Sequence, residues 1–306
     1  MEIRILATES LGVRGLCCFV ETGDRKILID PGISLGYKRH GFLPHPIQIA
    51  AGVRIREEII SVAKNATDIV ISHWHGDHAP LVDANPYQMP AGPMKKPIKN
   101  ARLWTKGIDA ESDRIRERVE SLAGFLGQTL PESAGNQSDN MLFSKPIPHG
   151  EKDSNQGNVM MTRIQEANQV FVHASDIQLL DEEAVQKILS WQPTIVLASG
   201  PPIYLNIGLA KKETARRLGR MLAQGTETLI IDHHLLRCLG GIDWINDMSR
   251  TTGNRVVCAA DFMNRPRDLL EARRSELYEL QPVPENWHEK YRHAKADLGA
   301  FGRPSD

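Results

Sequence analysis

Short apolar runs rich in β-branched residues punctuate the chain at Lys26 to Ile29, Asp68 to Ser72, Gln169 to Val172, Thr194 to Ala198, Thr228 to Ile231 and Arg255 to Cys258. Each has the length and composition of a strand. The opening MEIRILATES alternates charged with apolar residues and has no basic segment ahead of an apolar run, so it reads as a first strand rather than a leader. Between the runs the spacing turns helical. Ile115, Val119, Leu122, Ala123 and Leu126 fall on one helical face, and Ala184, Val185, Ile188 and Leu189, then Ala215, Leu218, Met221 and Leu222, make shorter stripes of the same kind. Strands interleaved with helices predict an α/β layered fold rather than a barrel or a bundle. No linker divides the chain, so one domain over residues 1–306 is expected. Its C-terminal part, from about residue 265 with LLEARRSELYEL, reads as an amphipathic helix followed by a polar tail. Two segments lack a period: Pro80 to Lys99, rich in proline and lysine, is expected to be a surface loop or a lid over a site, and Pro131 to Asn140 is a polar loop.

Composition narrows the class of protein. A chain of 306 residues can bury a substantial core without staples, and its 37 basic residues nearly cancel 38 acidic ones. No global field therefore draws it to nucleic acid or anionic membrane. AKKETARRLGRML and RPRDLLEARR concentrate positive charge, but both also carry acidic residues and an apolar stripe, which fits a solvated helix face, and nucleic-acid binding has no support. The four cysteines, Cys17, Cys18, Cys238 and Cys258, contain no C-x-x-C, which excludes a zinc knuckle or a redox dithiol and fits buried thiols in a reducing cytoplasm. No apolar stretch is long enough to span a bilayer.

The chemistry concentrates in ISHWHGDHAP, Ile71 to Pro80, which holds three of the eleven histidines. In an extended stretch His73 and His75 point to one side and Trp74 to the other, so two imidazoles can share an ion. Gly76 is expected to let the chain turn, bringing Asp77 and His78 to the same cavity as ligands for a second ion. Imidazole and carboxylate suit zinc, with iron or manganese as alternatives, and the absence of thiolates argues against a closed structural site. A shuffled chain of this composition would show H-x-H-x-D-H about once in a thousand.

The S-H-W-H-G-D-H run, preceded by I-L-I-D-P-G at Ile27 to Gly32, resembles the metallo-β-lactamase superfamily. DPG, SHWHGDH, SKPIPHG, HASD, SGPP, IIDHH and LLEARRSELY together resemble, along nearly the whole chain, a little-characterised and mainly archaeal family of predicted metal-dependent hydrolases within it. The resemblance implies an αββα sandwich: two mixed sheets with helices outside and two metal ions at one edge. It also implies further ligands. His149 matches the lone histidine of the third motif better than His173, which becomes a neighbour. Asp176 matches the carboxylate that bridges both ions, although on its own it suits a turn or a helix N-cap. IIDHH offers His233 and His234 for the last motif, with His234 slightly favoured. Strand alternation would set those two on opposite sides, one ligating and the other hydrogen-bonding outside the ligand set. Asp30 and Asp232 are candidates for groups close to the site or for turn residues.

On this reading His73, His75 and His149 bind one ion, Asp77, His78 and His234 the other, and Asp176 spans both. The pair activates water for attack on an ester, lactone, thioester or phosphodiester, with Asp77 orienting the nucleophile. Tyr204 and Arg237 are candidate substrate contacts. Lys95, Lys96, Lys99 and Lys145 offer positions for a phosphate, although loop lysines are ordinarily solvated. Two rival functions share the motif: a mononuclear iron oxygenase of the persulfide-dioxygenase type, and a non-catalytic binding protein stabilised by metal.

Overall fold

A computed structural model describes residues 1–108, 111–152 and 157–301. The first sheet runs β1 (Glu2–Ala7), β2 (Cys17–Glu21), β3 (Lys26–Ile29), β4 (Asp68–Ile71) and β5 (Arg102–Thr105) in that spatial order. Its first two pairings are antiparallel, and β3 to β4 and β4 to β5 are parallel. After β6 (Gln137–Ser138) and β7 (Met141–Phe143) come β8 (Ile147–Pro148) and β9 (Asn158–Val159), which pair only with each other. They are followed by β10 (Thr162–Glu166), β11 (Gln169–Ser175), β12 (Ile195–Ala198), β13 (Thr228–Ile231) and β14 (Arg255–Val257). The second sheet has the order β14-β13-β12-β11-β10-β7-β6. Its β11 to β14 half is parallel and the rest antiparallel.

Burial explains which strands are plain in the sequence. β4 and β13 are buried along their whole length, as strands covered on both faces must be, and read as unbroken apolar runs. One contiguous core joins the sheets and includes Ile5, Val20, Ile29 and Val70, which share one face of the first, and Phe171, Leu197 and Ile230, which share one face of the second. Helices form the outer layers. On the first sheet, α1 (Pro46–Ala63) lies against β1 and α2 (Ala91–Asn100), and α2 lies against β5 and α3 (Asp113–Leu126). On the second, α4 (Glu182–Ser190), α5 (Leu209–Gln224) and α6 (Gly240–Thr252) pack in series, with α5 against β13 and α6 against β14. The architecture is the expected αββα sandwich.

The helix termini follow local chemistry. α1 begins with proline in its first turn and the His45 side chain accepting from Ile47 N, α4 begins with Asp181 accepting from Ala184 N, and α3 stops at Gly127 with φ +69°. Three expectations need correction. Pro80 to Lys99 is only half a loop: Leu81 N donates to Met89 O and Ala91 N to Leu81 O, after which α2 runs to Asn100 with Ala91, Met94, Pro97 and Ile98 buried. Pro131 to Asn140 includes the short edge strand β6. The C-terminal region is not one amphipathic helix. After α7 (Ala259–Phe262) it breaks into α8 (Arg274–Leu280) and α9 (Trp287–Arg292). Arg274 is fully buried there, donating to Gly36 O, Phe42 O and Gln48 Oε1. The polar tail beyond residue 301 lies outside the described residues.

Candidate metal centre

Apart from His149, the motif residues follow the carboxyl ends of parallel strands, where an open α/β sheet places its ligands. Asp30 follows β3, His73 to His78 follow β4, Asp176 follows β11, Tyr204 follows β12, and His233, His234 and Arg237 follow β13. His149 enters from the β8–β9 hairpin, where its backbone N donates to Gly157 O and its carbonyl accepts from Gln178 N.

After β4 the chain stays extended, so the His73 and His75 rings meet at 4.7 Å while Trp74 turns away to donate to Gly107 O at 2.8 Å. Then His78 N and Ala79 N both donate to His75 O, closing a single turn that carries Asp77 and His78 to the same cavity. Gly76 serves this turn differently from expectation. It is not among the positive-φ glycines, and its place is set by space: an added Cβ would lie 3.0 Å from Leu81 and 3.1 Å from Gln88.

Four overlapping groups of possible donors result among the described residues, Asp30 with His73 and His78 and Asp176 with His233 and His234 being two of them, and the other two make separate half-sites. The donor atoms of His73, His75, His149 and Asp176 lie within 4.8 Å of one another, and so do those of Asp77, His78 and His233. Asp176 stands between them. Its Oδ2 faces Nε2 of His73 and of His149, both at 3.6 Å, while its Oδ1 faces Nε2 of His78 at 3.2 Å and of His233 at 3.5 Å. Each carboxylate oxygen thus serves one half-site.

The donors fit a pair of divalent ions. Nε2 of His73, Nε2 of His78 and Oδ1 of Asp176 are buried without a hydrogen-bond partner and converge on the same space. Leaving such groups unsatisfied costs about 1–3 kcal/mol each, a cost that a bound cation removes. Tautomers agree with this. Nδ1 of His78 bonds Asp30 Oδ2 at 2.9 Å and Nδ1 of His233 bonds Glu9 Oε2 at 2.7 Å. Asp30 is held below the usual carboxylate range and only accepts, so Nδ1 of His78 carries the proton, and Nε2 of His233 accepts from Arg237 Nη2 at 2.8 Å, so its proton is on Nδ1 as well; each Nε2 thus presents a lone pair.

His233 completes the group of Asp77 and His78, and it also forms a group with His234 and Asp176, so both histidines of IIDHH stand at the centre. β13 ends at Ile231, and His233 adopts φ +43°, so strand alternation does not apply to the pair and their rings lie together, 4.6 Å apart. His234 meets Asp176 Oδ2 at 3.4 Å and is joined at Nδ1 by the Gln178 amide nitrogen at 3.1 Å.

Asp30, Ser175 and His233 all adopt left-handed backbone at strand ends beside the site, with φ of +50°, +53° and +43°. Non-glycine residues there cost roughly 1–3 kcal/mol each and persist where surroundings enforce them. The enforcing contacts are visible. Asp30 accepts from Ser72 N at 2.7 Å and Ser72 Oγ at 2.6 Å, and Ser72 Oγ also meets Ser175 Oγ at 2.7 Å and His73 Nδ1 at 3.0 Å.

Electrostatics favour ligand-ready forms. Burial, reinforced by the neighbouring His78, pushes His73 down to about 4. Burial and the Arg237 guanidinium hold His233 well below the ordinary imidazole range, and burial with the His73 charge does the same for His149. Burial would raise Asp176, but His78, His233 and His234 bring it well below the usual carboxylate range. His78 alone runs the other way, because Asp176 and Asp30 outweigh its burial.

A cavity of 270 Å³ opens over this centre, lined by His75, Asp77, His149, Asp176, Gln178 and His234 on the metal side and by Pro202, Tyr204, Leu205 and Arg237 opposite. The expected substrate contacts Tyr204 and Arg237 are therefore at the site. No residue of Pro80 to Lys99 lines it, which removes the lid reading; Lys95 lies over the Phe125 ring at 4.5 Å, and Lys145 lines a different hollow. His173 sits behind, its Nε2 donating to Leu16 O at 2.8 Å, outside the ligand groups. Asp232 is a buried junction that accepts from Thr8 Oγ1, Ser10 N, His233 N and Ala259 N. Glu9 and Gln178 stand in no motif and were not legible as site residues; Ser72 and Ser175 stand inside SHWHGDH and HASD, next to His73 and Asp176, but serine there carries no ligand signal of its own.

No protein-family model matches the chain. It is 48% identical over 299 residues to a UPF0282 protein of Methanosarcina mazei, covering 97% of this chain and 98% of the relative. It is also 34% identical over 292 residues to a UPF0282 protein of Pyrococcus furiosus, covering 92% and 93%. The chain belongs to the UPF0282 family. Among solved structures, this UPF0282 chain overlays on a metal-dependent hydrolase of the beta-lactamase superfamily at 12% identity, covering 84% and 94% of the two chains with a TM-score of 0.49. It overlays on a dizinc quorum-quenching lactonase at 16% identity, covering 72% of each chain with a TM-score of 0.39. Overlays this loose bear on neither chemistry nor ligand. The sandwich rests on the strand order itself and on the convergence of the motif residues. No helix among the described residues is long and apolar enough to cross a membrane.

Proposed function

We propose that this protein is a dinuclear metal-dependent hydrolase. The observation that carries the reading is the placement of Asp176, whose two oxygens each face a separate group of buried imidazoles. A pair of divalent ions held there, zinc by the nitrogen and carboxylate character of the donors, supplies an activated water at neutral pH and a Lewis-acid pole for the electrophile. Asp77 is the one carboxylate of the ligand set with appreciable exposure, 17% of its side chain, and it lines the cavity, so it orients the attacking water. His234, whose Nε2 lies 3.4 Å from Asp176 Oδ2 and which lines the cavity, is the imidazole placed to protonate the leaving group. His73, His75 and His149 hold the first half-site, and Asp77, His78 and His233 the second. Substrates of this chemistry are esters, lactones, thioesters or phosphodiesters. Four free cysteines, three of them buried, fit a cytoplasmic setting.

Metal analysis and an activity screen test the reading together. About two zinc ions per chain and turnover of at least one lactone, thioester, phosphodiester or RNA substrate are expected. A single iron with no hydrolysis of any of these would overturn it in favour of an oxygenase.

A further inference from the structure

Resting on the two-ion reading, we propose that Arg237 and Tyr204 form the receptor for an anionic oxygen group of the substrate, a carboxylate or a phosphate, beside the metal centre. Among the described residues Arg237 is the only Lys or Arg side chain lining the cavity, and its side chain is 8% exposed. Its inner edge is anchored: Nε donates to Glu9 Oε1 at 2.8 Å, and Glu9 is itself buried and bonded to His233. Its outer edge faces the cavity, because Nη1 reaches Tyr204 Oη at 3.2 Å and Nη2 reaches Asp77 Oδ2 at 3.4 Å, both cavity-lining groups. Tyr204 is held in turn by Arg39, whose guanidinium lies 4.7 Å over its ring and which donates to Arg237 O at 2.8 Å.

The hydrogen-bond inventory gives the site its demand for an anion. The short bond of Nη2 is to His233 Nε2, at 2.8 Å, and its other acceptor is Asp77. An imidazole has one lone pair at Nε2, and an ion bound there takes it. Nη2 is then left buried with an N–H and no acceptor from His233, at the cavity wall. A planar fork in want of an acceptor is matched by two oxygens of a carboxylate or phosphate, with Tyr204 Oη as a further donor. Glu9 fixes the fork in place, so it receives the anion at little cost in ordering.

The test titrates inorganic phosphate and acetate calorimetrically into the zinc-loaded full-length protein, with zinc measured on the same samples. Tyr204→Phe is expected to weaken binding roughly three- to tenfold and Arg237→Lys, which keeps the charge but loses the fork, roughly ten- to hundredfold, with zinc content unchanged. An effect confined to phosphate assigns a phosphoryl group, and one confined to acetate a carboxylate; either supports the receptor. Zinc retained while both variants bind both probes within about twofold of wild type overturns this proposal alone. Failure of the wild-type protein to hold zinc overturns the metal-centre reading and this one with it. If Arg237→Lys does not fold, Tyr204→Phe decides by the same criterion.

Discussion

Gly32, the last residue of the DPG stretch, lies back to back with the turn that carries His78. A Cβ at Gly32 would stand 2.4 Å from His78 C, 2.5 Å from Ala79 N and 2.7 Å from His78 N. These neighbours are backbone, held by two bonds to His75 O and by the His78 to Asp30 contact, so no side chain can swing aside. Ordinary contact begins about 1 Å further out, and Gly32→Ala must open the gap by roughly that amount. Overpacking of this kind costs about 3 kcal/mol, the upper part of the usual range. At roughly 2 cal/mol/K per residue over 306 residues, that corresponds to a fall of about 5 °C in the Tm of the metal-free protein. The same displacement exceeds the tolerance of about 0.2 Å in a metal–ligand distance, so Gly32→Ala is also expected to lose the ion held by His78 while keeping the other. Calorimetric melting of chelator-treated protein and metal analysis of reloaded protein measure the two effects. Gly92→Ala is the control, since an added Cβ there meets nothing; in α2 it should be neutral or stabilising by about 1 kcal/mol. A Gly32→Ala protein that melts within about 1 °C of wild type and reloads two ions would refute the close-approach account.

Two further outcomes separate alternatives within the site and outside it. His233→Ala should bind about one ion per chain instead of about two, whereas His234→Ala should keep both, and the reverse pattern in metal analysis would return His234 to the ligand set. Away from the centre, burial would raise Glu271, but Arg14, donating at 2.7 and 2.5 Å, brings its carboxyl down to about 2. A depressed carboxyl stabilises the fold above its unfolded pKa near 4.3 and loses that contribution as pH falls toward 2, so wild type should lose about 2–3 kcal/mol more than Glu271→Gln between pH 5 and pH 2. Equal acid slopes in denaturant unfolding would contradict it.

What was legible in the sequence follows from how each element is buried. β3 and β13 each carry three consecutive buried apolar residues after a polar first one and stand at the residues their composition marks. β10 and β5 do not show, because TRIQE buries alternate positions between Arg163 and Gln165, and RLWT is an edge strand only partly covered. α1, the longest helix among the described residues, is equally hidden: Ile47, Gln48, Ile49, Ala51, Gly52, Ile55 and Ile59 are buried around much of its circumference, so no single stripe repeats. The C-terminal region shows the opposite error, an apparent stripe that breaks because buried Arg274 binds two carbonyls of the Gly36 to Phe42 loop.

The metal centre divides in the same physical way. His73 to His78 are legible because one strand end and one turn place them by local geometry. Asp176 and His149 need the resemblance, since nothing local distinguishes a ligand from a cap. Glu9 stands outside both kinds of signal: it meets His233 across 224 residues of chain, at a distance set only by the meeting of the two sheets. Its partner shows why local periodicity fails at such a place. His233 and His234 look like alternate positions of a strand, but the strand has ended, and a left-handed residue turns His233 between Glu9 behind and Asp176 in front. The backbone strain that carries the site is therefore also what hides it from a reading by period, and Asp30 and Ser175 repeat the pattern at the ends of β3 and β11.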